Sequence, residues 1–139
     1  MMTYFLRIQG ALVLCLIHSF VFVRPSGAQD LSQLYSRTWR ITSAPSPPAA
    51  GSIYIFLANG TLVETSCVET YRIAAWTVDK KAPRVLRVTE DQEPAFTATI
   101  LELNDTTLRL RQTLMRSKEK RELTLKAIDK EFVCPDLPK

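Results

Sequence analysis

From Thr38 to Ile128 apolar and polar residues alternate almost without interruption. A period of two places successive side chains on opposite faces, which is the pattern of half-buried strands. The alternation divides into eight candidate strands, at 38–43, 52–57, 61–67, 71–78, 85–90, 95–103, 107–114 and 122–128. Turn chemistry separates them: Ser-Ala-Pro-Ser-Pro-Pro from Ser43, Asn59-Gly60, the segments 79–83 and 90–94, Asn104-Asp105, and the charged run 116–121. No stretch has a helical period long enough to cross between parallel strands. Short sequential connections therefore predict an all-β fold, an eight-stranded antiparallel up-and-down barrel whose closure removes exposed strand edges. Ahead of it, Asp-Leu-Ser-Gln-Leu-Tyr-Ser from Asp30 predicts a short N-terminal helical turn. Asp30 caps that turn, and Leu31 and Leu34 share one face.

The second hairpin sets which residues face inward. A two-residue Asn59-Gly60 loop would pair Leu57 with Leu62 and flip one strand. A three-residue loop, Ala58-Asn59-Gly60 with Gly60 left-handed, pairs Phe56 with Leu62 and Tyr54 with Glu64. The second choice puts Phe56 and Leu62 on one face and is favoured. Tyr54, Phe56, Leu62, Glu64 and Ser66 then point inward, with Ile53, Ile55, Val63 and Cys67 outward. An outer apolar wall needs a cover. The C-terminal segment Glu-Phe-Val-Cys-Pro-Asp-Leu-Pro offers Phe132, Val133 and Leu137 beside Cys134.

The first 28 residues read differently. Arg7 supplies a positive start, an apolar stretch runs from Ala11 to Val23, and Ser26-Gly27-Ala28 supplies small residues for cleavage. That is the layout of a secretory signal peptide, and its apolar run is short for a membrane span of about 20 residues. The expected domain organisation is a signal peptide over 1–28 and one barrel domain over 29–139. Export, to a periplasmic or extracellular location, leaves no membrane anchor after cleavage.

Cleavage changes the charge and the available chemistry. Arg7 and Arg24 leave with the leader, so 16 of 18 basic residues face 14 acidic ones. A net charge near +2 is too weak to indicate nucleic acid or an anionic membrane as a partner. The only histidine, His18, also leaves. Histidine is the usual base of Ser-His-Asp and Cys-His systems and the commonest zinc ligand. The expectation is a protein that is not an enzyme and carries no cofactor or metal. Two cysteines remain, Cys67 and Cys134, and an even count in an exported chain points to a disulfide.

Three segments resemble lipocalin-like domains: Thr-Trp-Arg-Ile-Thr from Thr38, Ile-Tyr-Ile-Phe-Leu-Ala-Asn-Gly-Thr-Leu from Ile53, and Phe-Thr-Ala-Thr-Ile-Leu-Glu-Leu-Asn-Asp-Thr-Thr-Leu-Arg-Leu-Arg-Gln from Phe96. They are similar to the first strand, second hairpin and late hairpin of small bacterial lipocalin-like proteins, and their order covers most of 38–128. The META-type secreted β domain is the related resemblance. Arg37-Thr38 stands where the lipocalin glycine falls, and the chain is shorter than a typical lipocalin, which argues against a large cavity. The resemblance implies a barrel with its tail clipped to the outer wall, here through Cys67 and Cys134, and a loop over 43–51 lying across the open end.

The candidate ligand-binding residues are Trp39, Tyr54, Glu64, Arg72, Trp76 and Gln112. Aromatic rings with a few polar groups are the usual lining of a small-molecule site. The expected partner is a small apolar or amphipathic molecule, and no protein partner can be named. A barrel of this size can also be filled by its own side chains. The alternative is then an envelope or extracellular protein-interaction module without a ligand. The run 116–121 reads as a solvated hairpin tip, and the acidic residues at 90–93 read as a turn. Intact mass of the exported, unreduced protein should begin at Gln29 and fall two hydrogen masses below the fully reduced value. A full-length species retained in the membrane, or a mass with both thiols reduced, would contradict this.

Overall fold

A computed structural model describes residues 30–46, 50–67 and 70–130. The expected leader, Cys134 and the apolar tail residues lie outside the described residues. One short helix, α1 (Ser32–Tyr35), precedes β1 (Thr38–Ser43), β2 (Ile53–Phe56), β3 (Thr61–Thr65) and β4 (Arg72–Asp79). β5 (Ala82–Glu90), β6 (Glu93–Leu103), β7 (Thr107–Leu114) and β8 (Lys120–Ala127) follow. Each strand pairs antiparallel with the next, and β8 returns to β1, closing an up-and-down barrel.

The second hairpin adopts the three-residue loop. Leu57 N donates to Thr61 O at 2.8 Å, and the register sets Phe56 opposite Leu62 and Tyr54 opposite Glu64. Gly60 makes the loop possible with φ +86°, where a side chain would be strained. A Cβ there would also lie 3.2 Å from the Trp76 carbonyl oxygen. The N-cap of α1 is Leu31, without a side-chain cap; Asp30, one residue earlier, accepts the Ser32 N–H at 2.9 Å, and Leu34 is fully buried.

Strand boundaries differ from the sequence pattern at the end of β3, which stops at Thr65, and at the starts of β5, β6 and β8. β5 begins at Ala82 because Asp79 accepts the Lys81 N–H at 2.8 Å, which tightens the turn to Lys80-Lys81. Pro83 then lies between the last β4 rung and the first β6 rung, where no ladder needs an N–H from it. β6 begins at Glu93, since the preceding turn is only Asp91-Gln92, with φ of 51° and 69°. Positive φ at both positions is the primed hairpin geometry, met here without glycine. β8 begins at Lys120, two residues earlier than the pattern suggests.

Inside, one apolar cluster fills the barrel from the α1 end upward. Both indoles sit at that end, and each satisfies its N–H on a backbone carbonyl. Trp39 Nε1 donates to Leu34 O at 2.8 Å, joining α1 to the barrel floor. Trp76 Nε1 lies between Leu57 O (3.0 Å) and Thr61 O (3.1 Å), joining β4 to the hairpin turn. The Phe56 ring stands edge-on to both Trp76 (5.7 Å) and Tyr54 (6.2 Å). Removing Trp76 leaves a void under that turn. Trp76→Ala should therefore cost about 3–5 kcal/mol in denaturant unfolding. Trp76→Phe keeps most of the volume and should cost about 1–2 kcal/mol, mainly the lost hydrogen bond. An alanine variant as stable as wild type would refute this packing.

Candidate functional site

The two ends of the barrel are unlike. At one end α1 and the turns after β2, β4 and β6 lie over the packed indoles. At the other end the connections after β1, β3, β5 and β7 surround a cavity of about 1600 Å³. Ile41, Ala74, Val88, Phe96 and Leu114 border part of it. Tyr54, Glu64, Arg72, Glu90 and Arg121 contribute polar groups to the same wall. Ser46 Oγ donates to Glu119 Oε1 at 2.9 Å, tying the loop after β1 to the turn after β7 across this rim.

The strand register explains the polar layer. Glu64 pairs across the ladder with Tyr54 on one side and Arg72 on the other, so all three share the inner face. Arg72 reaches down from the rim, with its side chain 56% exposed, and its Nη2 lies 3.2 Å from Glu64 Oε2. Its Nη1 stands 4.0 Å from Glu90. Glu64 itself is only 13% exposed. Burial pushes its carboxyl above the usual range; Arg72 opposes the shift, and neighbouring Glu90 adds to it. Burial likewise raises the Tyr54 phenol. Beyond these, Gln112 is fully buried and bridges Arg121 to the Tyr54 hydroxyl.

Of the six residues singled out from sequence, Tyr54, Glu64 and Arg72 line the cavity. Gln112 stands behind it, holding Tyr54 and Arg121. Trp39 and Trp76 do not reach it. The expectation that they line the mouth under the 43–51 loop is corrected by strand direction. Trp39 is the second residue of β1, and Trp76 N bonds Gly60 O at 2.7 Å, so both lie at the opposite end from that loop. Cys67 also departs from its expected place on the outer wall. β3 ends at Thr65, the alternation lapses, and half-buried Cys67 borders the cavity. Ile53 faces outward yet is only 5% exposed, and it stands apart from the central core cluster.

Arg121 is the residue that sequence reasoning assigns elsewhere, to the solvated tip at 116–121. With β8 starting at Lys120, Arg121 shares the parity of Leu123 and Leu125 and turns inward. That parity is the available signal, obscured by the charged run around it. Among the described residues, no group of three or more His, Cys, Asp or Glu could hold a metal ion. Comparisons with family models, curated proteins and solved structures find no match to this chain. The class rests on geometry: a closed antiparallel barrel, packed at one end and hollow with a mixed polar lining at the other.

The raised Glu64 carboxyl has a consequence for stability. The folded protein holds this proton more tightly than the unfolded chain, so wild type loses stability as pH rises from the ordinary carboxylate range through the raised folded value. Glu64→Gln removes that loss. Its unfolding free energy relative to wild type should climb with pH across that window and level off above it. Below the window both side chains are neutral and the difference should be constant. Denaturant curves from about pH 4 to about pH 8 check this, and a difference independent of pH would refute it.

Proposed function

We propose that this protein is an exported, lipocalin-like binding barrel that holds one small amphipathic molecule at its open end, without catalysis. The observation that carries this reading is the cavity itself, where Val88 and Phe96 meet Glu64 and Arg72 on one concave wall. Concave sites with an apolar majority and a few fixed polar groups are the usual form of small-molecule sites. The packed end supports it too, because the apolar plug around Trp39 and Trp76 gives the cavity a rigid floor.

The same reading includes a Cys67–Cys134 bridge that ties the tail to the chain just past β3, at the cavity rim. Ile128 N bonds Thr38 O, so the chain leaves β8 beside the start of β1. Six further residues reach about 20 Å. By register, Cys67 lies three strand spacings across and four residues along from that point, roughly 19 Å. A bridged pair adds a Cα separation of about 5.5 Å, which gives the tail slack.

One observation favours the interaction module instead. Tyr71 and Ile73 are 66% and 60% exposed near the start of β4, a small apolar surface that a protein partner could cover. Titration with the neutral fluorophore N-phenyl-1-naphthylamine separates the two. A binding barrel gives saturable one-site enhancement. Ala74→Phe, which fills the cavity wall, should abolish it while circular dichroism stays native. No enhancement with this probe or with its sulfonated analogue 8-anilinonaphthalene-1-sulfonate, up to the solubility limit of each and with the fold intact, would leave the interaction module as the reading.

A further inference from the structure

Three features of the described residues are left unexplained by the binding reading above. They are the exposed Tyr71 and Ile73, the strained Asp91-Gln92 turn, and the donor groups at the cavity wall around Arg121. Nothing shows what would cover the first. The second is held by the hairpin it closes. The third carries an inference.

Hydrogen-bond logic fixes the direction of the Arg121–Gln112–Tyr54 chain. A guanidinium only donates, so Arg121 Nε, 2.9 Å from Gln112 Oε1, requires the Gln112 oxygen to face it. The Gln112 amide NH₂ must then face Tyr54, and it donates to the hydroxyl oxygen at 3.3 Å. Tyr54 therefore accepts in this chain, and its own proton is left to donate elsewhere. No acceptor for that proton stands among the described residues, although Tyr54 is 1% exposed. Arg121, which is half-buried, also has donors to spare. Its Nε is used, while its two Nη groups have neither a carboxylate within 4 Å nor a hydrogen-bond acceptor among the described residues. The arginines of the outer wall behave differently: Arg87 pairs with Asp79, and Arg109 and Arg111 share Glu122.

Both groups line the cavity, and both present donors. The nearby carboxylate does not answer them, since Glu64 is held by Arg72. A buried donor without an acceptor, as the Tyr54 hydroxyl is, costs about 1–3 kcal/mol, so an acceptor supplied from the cavity beside half-buried Arg121 would be favoured. Charge-assisted donors of this kind suit an anion best, because a guanidinium and a hydroxyl can hold two oxygens of one acidic group. The apolar wall of Val88, Phe96 and Leu114 would take the remainder of the molecule.

We propose that the cavity ligand is an anionic amphiphile, with a carboxylate or sulfonate head held by Arg121 Nη and the Tyr54 hydroxyl and an apolar body against Val88 and Phe96. This rests on the binding-barrel reading and adds the ligand's charge. Two anilinonaphthalene probes differing by one sulfonate test it. Wild type should bind 8-anilinonaphthalene-1-sulfonate at least about tenfold tighter than N-phenyl-1-naphthylamine, a difference of about 1.4 kcal/mol. Arg121→Gln should reduce that preference about tenfold, and added salt should reduce it in wild type. Tyr54→Phe, which keeps the ring and removes only the hydroxyl, should reduce it a few-fold and carries the test if Arg121→Gln fails to fold. If the neutral probe binds and the sulfonate brings no preference, or Tyr54→Phe and a folded Arg121→Gln leave the preference intact, the anionic assignment is wrong and the barrel reading stands. If neither probe binds wild type, both fall.

Discussion

Everything in this molecule follows from the closing ladder between β1 and β8. Trp39 stands opposite Ala127 and Ile41 opposite Leu125, so the first and last strands share their rungs and the sheet has no free edge. Closure turns a strand's two faces into an inside and an outside. Residues of one parity, among them Tyr54, Leu62, Leu86, Leu110 and Leu125, must then fit one enclosed volume. An eight-stranded ring leaves room for those side chains and little else. Any space for a ligand must come from side chains that are short, polar or placed at a rim.

The chain uses that limit asymmetrically. Large rings with one polar atom each occupy the end under α1, where Leu34, Leu57 and Thr61 carbonyls satisfy the two indole N–H groups. A buried indole is tolerated only where its N–H finds an acceptor; Leu34 O at the end of α1 serves Trp39, while Leu57 O and Thr61 O, each already accepting a backbone N–H in the turn, use a second lone pair for Trp76. Toward the other end the inner parity changes character, through Ala74, Glu64 and Arg121, and packing gives way to a hollow. Glu64 tolerates its burial because Arg72 extends to it from solvent, so only one member of the pair is deeply desolvated.

Much of this is legible in the amino-acid pattern alone. Period-two alternation locates all eight strands, and β1 and β7 begin and end where the pattern places them. The Ala58-Asn59-Gly60 loop fixes the inner parity of β2 and β3, and so the facing of Tyr54 and Glu64. Position along the barrel axis is what the pattern does not carry. Alternation tells inside from outside but not one end from the other, and an aromatic residue looks equally suited to a floor or a mouth. Trp39 and Trp76 are misplaced by sequence for that reason. Boundaries fail where turn signals mislead. Pro94 suggests a turn but sits within β6, and no glycine marks Asp91-Gln92. Arg121 is hidden by the same kind of error at the head of β8.

The strands are also unequal in length. β6 runs for 11 residues and β5 for 9, while β2 has 4 and β3 has 5. The wall is thus a deep cup on one side and a low sill on the other. A ladder's resistance to parting grows with its rungs, and local opening favours the fewest. The sill is made of β2 and β3, the strands that carry Tyr54 and Glu64 into the hollow. By rung count, the strands that present the polar groups are therefore the part of the wall where the ladder is shortest.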